Sequence, residues 1–373
     1  MDSPKFTKGS QLFDSNYIVR NYIASGGMNS EVYAVLLKGD TTNKVYAAKI
    51  ITKPDNESEK FWRKFADEEV TAFRVTNKPN LVNTYETFSY KDEKQDVKVF
   101  IMDYVEGVSL KEYIYKQGCL TPKVALTIFL KICNGIKALH DFKHQIIHRD
   151  LKPENIMLSY DLTKVTIMDF GISSVIQTSL NRDEKENVKY LTDENQMFGT
   201  APYIIPDFLN NNRKATVQYD FFSLGVILHE MIMGQRPFHD EDMPSTTSQR
   251  RIIGLATQYD MYNISANPSI PVALENLIFR LIASKREDLH FRYNSIDEII
   301  TDTKNVMLLL NKKDDTTVLL KPANKRIYRT GERFPIDRFK SELPLYKRWS
   351  FFIIVVACGI VILLTALLVF FII

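Results

Sequence analysis

The sequence predicts an α+β fold with a small β-rich lobe, a larger α-helical lobe and one C-terminal transmembrane helix. Residues 17–100 consist mainly of short β-branched or aromatic runs, which are typical of strands. From residue 109 onwards, apolar residues recur at three- and four-residue spacing, which is typical of helices. The last 23 residues carry no charged side chain, as expected of a segment that crosses a bilayer.

The first lobe is predicted to be a sheet with one helix. The runs that predict strands lie at residues 17–23, 31–37, 45–51 and 97–103. Between the third and fourth runs, residues 59–75 have the composition and spacing of a helix. The chain is expected to be extended again at residues 80–82, because Pro79 interrupts the helical pattern.

The second lobe is predicted to contain a long helix that starts after Thr121, a residue type that caps helices, with Pro122 at its first position. Its buried face is predicted to carry Val124, Ile128, Ile132, Ile136 and Leu139. Short strands are expected around residues 156–159 and 165–168. Further helical patterns occupy residues 221–233, 274–282 and 296–310.

Residues 311–350 are predicted to form a basic linker, with 11 Lys or Arg against 5 Asp or Glu between positions 312 and 348. As a helix, residues 351–373 would be about 34 Å long, enough to cross a hydrocarbon core of about 30 Å. The Lys-Arg-Trp sequence at 347–349 is typical of a cytoplasmic interface. We therefore expect a single-pass protein of the cell membrane, with the preceding chain in the cytoplasm and the linker drawn to anionic lipid.

Composition argues against two kinds of site. The formal net charge is only +3 over 373 residues, so no nucleic-acid partner is expected. The three cysteines, Cys119, Cys133 and Cys358, are too few and too scattered for a disulfide framework or a zinc site.

Residues 148–155 read His-Arg-Asp-Leu-Lys-Pro-Glu-Asn, and Asp169 opens an Asp-Phe-Gly tripeptide 19 residues after Asp150. Phosphoryl transfer needs positioned metal ions, a phosphate cradle, a cation and a carboxylate that orients the attacking hydroxyl. Asp150 can supply that carboxylate, and Lys152 can stabilise the transferring group. Asn155 and Asp169 offer the oxygen ligands that Mg²⁺ prefers.

These motifs follow the order and approximate spacing of protein kinases, and residues 17–310 resemble the eukaryotic-like (Hanks-type) serine/threonine kinases of bacteria. The Lys-Pro-Glu sequence after Asp150 is similar to serine/threonine rather than tyrosine kinases. Residues 25–33, Ser-Gly-Gly-Met-Asn-Ser-Glu-Val-Tyr, and 102–107, Met-Asp-Tyr-Val-Glu-Gly, look closest to the membrane-anchored members.

The resemblance implies a bilobal protein-kinase fold and a non-specific serine/threonine kinase that uses ATP and Mg²⁺ (or Mn²⁺) on protein substrates. The implied domains are an extension at 1–16, an N-lobe at 17–102, a hinge at 103–108, a C-lobe at 109–310, the linker at 311–350 and the membrane helix at 351–373. A dimer of kinase domains is a further expectation. Members of this group usually carry an extracellular sensor, which this chain is expected to lack.

The resemblance places ATP between the lobes. Lys49 would contact the phosphates and pair with a glutamate of the following helix, Glu69 or Glu68. Glu69 is favoured, because apolar residues then take the positions just after the glutamate. The residues that would surround the nucleotide are Ser25, Gly26, Gly27, Val32, Ala47, Met102, Asp103 and Val105. Serine stands at two glycine positions of the phosphate loop, and a second alignment with one inserted residue places Gly26 and Gly27 differently.

The resemblance also assigns residues that support or regulate the site. Asp220 would hold the backbone of the catalytic loop, and Asp207 would pair with Arg292. Thr200 would contact Asp150 and Lys152. Arg149 would capture a phosphate on the activation segment, for which Thr192 is favoured over Thr178 and Ser179.

Two other functions fit the same motifs. A pseudokinase, a membrane-tethered binding module with the kinase fold, is favoured by the glycine-poor loop and by Asp207 in place of glutamate. Against it, Lys49, Asp150, Asn155 and Asp169 are all present. A small-molecule kinase is disfavoured by Lys152 and by residues 199–203, Gly-Thr-Ala-Pro-Tyr, which resemble a segment that receives protein substrates.

Overall fold

The computed structural model describes residues 5–26, 29–54, 59, 62, 77–93, 95–142, 145–169, 201–209, 216–238, 270–284, 286 and 288–312. The first lobe contains a five-stranded antiparallel sheet in the order β1-β2-β3-β5-β4. Its strands are β1 (Tyr17–Gly26), β2 (Ser30–Leu37), β3 (Val45–Thr52), β4 (Thr84–Lys91) and β5 (Asp96–Asp103). The four predicted strands are confirmed. Strand β4 was not predicted, because most of its side chains are partly or fully exposed and it has no apolar run.

The two faces of this sheet serve different cores. Side chains alternate across a strand, so Ala48 and Ile50 of β3 enter the core of the first lobe, together with Tyr33 and Val35 of β2. Ala47, by contrast, belongs to the larger core that continues into the second lobe. The register pairs Val32 with Lys49 on this second face. The face therefore covers the cleft between the lobes.

Residues 5–16, which were predicted to belong to an N-terminal extension, pack onto the sheet of the first lobe. Leu12 is completely buried in that lobe's core. The ring of Phe13 stacks on Tyr90, with 4.6 Å between ring centroids. The Lys5 ammonium donates a hydrogen bond of 2.9 Å to the Thr52 hydroxyl at the end of β3. This segment is thus part of the folded first lobe.

Five helices are described in the second lobe. They are α1 (Leu110–Gln117), α2 (Pro122–His140), α3 (Gln218–Met233), α4 (Val272–Ile282) and α5 (Ile296–Lys312). The predicted start of α2 is confirmed, since the Thr121 hydroxyl accepts a hydrogen bond from the Val124 amide. From Tyr219 to Met233, α3 is buried on every side, as expected of the central helix of a lobe.

A small antiparallel sheet of β6 (Val108–Ser109), β7 (Ile156–Leu158) and β8 (Val165–Ile167) lies between the hinge and the helices. The expected strands around residues 156–159 and 165–168 are confirmed as β7 and β8. The expected extended chain at 80–82 joins β8 in parallel, because the Val82 amide donates to the Ile167 carbonyl at 2.9 Å and the Ile167 amide donates to the Asn80 carbonyl at 2.9 Å.

Two expectations fall wholly or largely outside the described residues. Of the helix expected at 59–75, only Glu59 and Trp62 are described, and both are helical. The segment 351–373 lies outside the described part of the chain. Among the residues that are described, no helix has the length and apolar character needed to cross a membrane.

The buried His229 near the end of α3 should make stability depend on pH. Its Nδ1 donates a hydrogen bond to the Gln235 carbonyl at 2.8 Å, whereas Nε2 is buried without a partner among the described residues. Burial lowers the pKa of His229 to about 4, against the weaker opposing effect of the Gln235 carbonyl. Between pH 6.5 and 4 the unfolded chain therefore binds a proton that the folded protein does not.

We expect the free energy of unfolding to fall by about 1.3 kcal/mol more between pH 7.5 and 5.5 in the wild type than in His229→Asn, which retains a donor for Gln235. Urea unfolding at the two pH values measures this difference. Equal pH dependence in the two proteins would contradict the assignment.

Candidate active site

The catalytic-loop segment is held by one buried carboxylate. Asp220 lies in the first turn of α3 and is completely buried. Its Oδ2 accepts from the His148 amide at 3.0 Å, and its Oδ1 accepts from the Arg149 amide at 2.9 Å. A third contact joins Oδ2 to His140 Nε2 at 2.7 Å. Since a carboxylate only accepts, the network assigns a proton to His140 Nε2.

Electrostatics favour the ionised form of Asp220. Burial raises the pKa of this carboxyl, but the hydrogen bond and charge of His140, the charge of His148 and the Arg149 amide together outweigh burial and hold the pKa below its ordinary value. A charged acceptor matters here because Arg149 has a left-handed backbone, with φ of 61°. Such a conformation in a non-glycine residue costs on the order of 1–3 kcal/mol. The two amide bonds to Asp220 offset this cost.

The strained turn brings three predicted site residues together. The Asn155 side-chain nitrogen donates to the Asp150 carbonyl at 2.8 Å and to the Asp150 carboxylate at 3.1 Å. Lys152 Nζ lies 2.8 Å from the same carboxylate. Pro153 starts a short 3₁₀ turn, Pro153–Asn155, that continues directly into β7. The rigid end of the loop is therefore fixed to the small sheet.

Lys49 and Asp169 meet across the cleft, although 120 residues separate them in the sequence. Lys49 Nζ lies 2.9 Å from Asp169 Oδ1, and the lysine side chain is almost fully buried. The end of β8 carries Asp169 to this position, with φ of 52° at the aspartate. The Met168 amide before it donates to the Asn155 carbonyl at 2.8 Å. One hydrogen bond thus joins the two segments that carry Asn155 and Asp169.

Nearby positive charges hold the Asp169 carboxyl in its ionised form. Burial raises the pKa of the carboxyl, but the Lys49 ammonium, with smaller contributions from His148 and Lys152, outweighs burial and keeps the pKa below its ordinary value. Lys49 engages Oδ1, and the Asn155 nitrogen is already donated to Asp150. The available oxygens of Asp169 and Asn155 are hard donors that fit Mg²⁺ or Mn²⁺.

The predicted nucleotide-binding residues lie on one face of the sheet and along the hinge. Ala47 pairs in register with Met102, and both are nearly buried. Val32 and Val105 are half-buried against the same core. The Asp103 amide donates to the Asn83 carbonyl at 2.9 Å, so its backbone contact with an adenine would be through its carbonyl.

The β1–β2 hairpin places the predicted phosphate loop at its end. Ser25 pairs with Glu31, and Gly26 pairs with Ser30. The turn ends at Asn29, with φ of 55°, and the Asn29 carbonyl accepts from the Thr52 amide at 3.1 Å. This register places Val32 opposite Lys49, so the strand that follows the predicted phosphate loop lies beside the strand that carries the lysine.

Asp207 and Arg292 form a direct two-point ion pair. Arg292 Nη1 and Nη2 donate to the two carboxylate oxygens at 2.7 and 3.1 Å. Arg292 Nε also donates to the Ala283 carbonyl at 2.6 Å. The aspartate, although shorter than glutamate, therefore reaches its arginine without an intervening water.

Sequence reasoning missed two supporting groups. On α2, His140 lies four residues after Ile136 and continues the buried series of apolar residues. A polar residue at a position where the spacing predicts burial was the available signal. The second group is Glu230 of α3, which is buried and accepts from the Tyr203 hydroxyl and from Lys111 Nζ at 2.5 and 2.8 Å. No sequence pattern relates these three residues.

Several predicted residues lie outside the described part of the chain. They are Gly27, Glu68, Glu69, Thr178, Ser179, Thr192 and Thr200. The choice between Glu68 and Glu69 as the partner of Lys49 therefore stays open.

The chain is similar to known proteins over most of its length. The family model for the protein kinase domain matches residues 20–292. A protein of Mycoplasma pneumoniae that carries the name serine/threonine-protein kinase is 34% identical over 91% of this chain and 91% of its own length. One of the same name from Mycoplasma genitalium is 33% identical over 98% of both chains. Serine/threonine-protein kinase PrkC of Bacillus subtilis is 30% identical over 77% of this chain and 40% of its own.

Removal of the Asp220 carboxylate should destabilise the fold strongly, because two backbone amides and His140 would lose their buried acceptor. We expect Asp220→Ala to lower the free energy of unfolding by about 3–5 kcal/mol, and Asp220→Asn, which retains one acceptor oxygen, by less. Urea unfolding measures both. Asp14→Asn, on an exposed aspartate outside the second lobe, is the control and should change stability by no more than about 0.5 kcal/mol. A loss for Asp220→Ala as small as the control's would show that this carboxylate does not hold the loop.

Proposed function

The chain belongs to the protein kinase family and is a serine/threonine protein kinase, and from this premise we propose that it phosphorylates cytoplasmic proteins from a membrane to which residues 351–373 anchor it. The observation that carries catalytic activity is the joining of Lys49 to Asp169 at 2.9 Å beside the Asp150, Lys152 and Asn155 group. A binding module without catalysis would have no need of all five.

We assign the cleft between the lobes to ATP. The apolar face formed by Val32, Ala47 and Met102 would hold the adenine, with backbone groups of Asp103 and Val105 at its edge. The hairpin at Ser25, Gly26 and Gly27 would lie over the phosphates, where backbone N–H groups can bind anions. Lys49 would contribute its charge to the phosphates, and Glu69 or Glu68 would hold the lysine.

Asp150 is assigned to the substrate hydroxyl. Its carboxylate is held by Asn155 and Lys152 and is partly exposed, as a group that accepts a proton from a protein substrate must be. The loop fixes this carboxylate before substrate arrives, so little reorganisation is needed during transfer. Lys152, on the same oxygen, is placed to stabilise negative charge on the transferring phosphoryl group.

Asn155 and Asp169 would hold the divalent cation, Mg²⁺ or Mn²⁺. A cation bound there would neutralise phosphate charge and orient the phosphates for transfer. Two properties of these side chains fit that role: both offer oxygen, and Asp169 stays charged because of Lys49. Within the protein, the Met168–Asn155 backbone bond keeps the two ligands together.

Phosphoryl transfer should depend on Asp150 and Lys49. We expect Asp150→Asn and Lys49→Ala to lower the rate of ³²P transfer from ATP to a protein substrate by about 10²–10⁴-fold, with folded protein confirmed by circular dichroism. Lys123→Ala and Asp14→Asn, which change exposed residues of the same types, should retain the wild-type rate. Background transfer in the wild type and both site variants alike would favour the pseudokinase function instead.

Membrane association should depend on the apolar character of residues 351–373. We expect Ile362→Arg combined with Leu363→Arg to release the protein into the soluble fraction, since each arginine near a helix centre costs about 2.5–3.5 kcal/mol on the insertion scale. Ile362→Leu with Leu363→Ile is the matched control and should stay in the carbonate-resistant membrane fraction. If the arginine variant also stays there, the anchor lies elsewhere.

Autophosphorylation is a further part of the proposal. Arg149 precedes Asp150 and would capture a phosphate on the activation segment, with Thr192 as the favoured acceptor. After incubation with ATP, mass spectrometry should find phosphate between residues 171 and 199 in the wild type but not in Asp150→Asn. A wild-type protein that transfers phosphate to substrate but carries none in this segment would contradict this part alone. The kinase-domain dimer stays a prediction on which this assay does not depend.

A further inference from the structure

Gly107, at the end of the hinge, lies against backbone that cannot move aside. Its φ is +149°, and a Cβ atom built on it would lie 2.0 Å from the Leu158 carbonyl oxygen and 2.8 Å from the Leu158 carbonyl carbon. Carbon and oxygen atoms cannot approach so closely without a shift of one segment. Because the three nearest atoms that a Cβ would meet, Ser159 Cα at 3.3 Å included, are all backbone, no rotation of a side chain can relieve the contact.

The strand that Gly107 touches is fixed on both sides. Leu158 is completely buried, and β7 pairs with β6 through Val108 and with β8 through Val165. At its other end, β7 continues directly from Asn155. A side chain at position 107 would therefore displace the hinge more readily than the strand.

The hinge displaced in this way includes the backbone assigned to adenine. Val105, two residues earlier, packs half-buried against the core, and Met102 is 2% exposed. We propose that Gly107 is a positioning residue for nucleotide binding: by lacking a Cβ it allows the hinge to lie directly on β7, and it thereby sets the spacing between the adenine-binding backbone and the strand that continues the catalytic loop. This inference rests on the proposed ATP site.

Variants at two other glycines serve as controls for the ordinary effects of replacing a glycine. Gly118 also has a positive φ, of +81°, but a Cβ there meets nothing within 4 Å, so Gly118→Ala reports backbone strain alone. Gly225 lies in α3, where a Cβ would approach Ile282 Cγ2 to 2.5 Å. Gly225→Ala therefore reports a steric clash in the helical core, away from the hinge.

The experiment measures KM and kcat for ATP, and the dissociation constants of ATP and adenosine by calorimetry, in the wild type and in Gly107→Ala, Gly118→Ala and Gly225→Ala. We expect Gly107→Ala to raise KM and both dissociation constants by about tenfold or more, about 1.4 kcal/mol, with a smaller change in kcat. The two controls should lose thermal stability but keep both constants within about twofold of wild type.

The outcomes are distinct. A wild type that binds neither ATP nor adenosine would overturn the proposed function itself. The positioning role would be overturned if the wild type binds both ligands and Gly107→Ala binds them with the same dissociation constants. It would also be overturned if Gly107→Ala weakens binding no more than Gly225→Ala does. If Gly107→Ala is unfolded in buffer by circular dichroism, all four proteins are compared in trimethylamine N-oxide, which favours the compact state, and the same criteria apply.

Discussion

The buried carboxylate of Asp220 is the constraint on which the site depends. It is the common acceptor for the amides of His148 and Arg149 and for the ring of His140. Arg149 has a left-handed backbone, which a single chain segment would not keep unaided. Because Asp220 belongs to the buried central helix of the second lobe, the position of Asp150 is determined by the packing of the whole lobe.

On the opposite side of the cleft, the alternation of side chains along β3 positions Lys49. Strand alternation directs Ala48 and Ile50 into the first lobe's own core and leaves Ala47 and Lys49 on the face that covers the cleft. Lys49 then reaches Asp169, which follows β8. Asp169 is joined to the catalytic loop through the backbone bond from Met168 to Asn155. Charge attraction between Lys49 and Asp169 thus joins the sheet of the first lobe to the segment that carries the catalytic loop.

The chemistry could be predicted from the sequence because its groups lie in short motifs: residues 148–155, Lys49 in an apolar strand, and Asp169. The contacts that support these groups could not be predicted, since they join segments that are distant in the sequence. His140 has only a weak signal as a polar residue in an apolar series, and β4 has none because it is largely exposed. The role of Gly107 depends on the approach of Leu158, which no local pattern encodes. The packing of Leu12 in the first lobe's core was not predicted, because Leu12 and Phe13 stand alone between polar residues and give no periodicity.

The structure indicates that Asp220 holds the catalytic loop in place before any nucleotide binds. Hydrogen exchange of the His148 and Arg149 amides tests it directly, in nucleotide-free protein labelled with ¹⁵N at histidine and arginine. We expect both amides to exchange at least about 100-fold more slowly than amides of exposed loops, at rates approaching those of the α3 backbone. Exchange of these two amides at the rate of an unprotected loop would contradict it, because the loop would then be held by something other than this carboxylate.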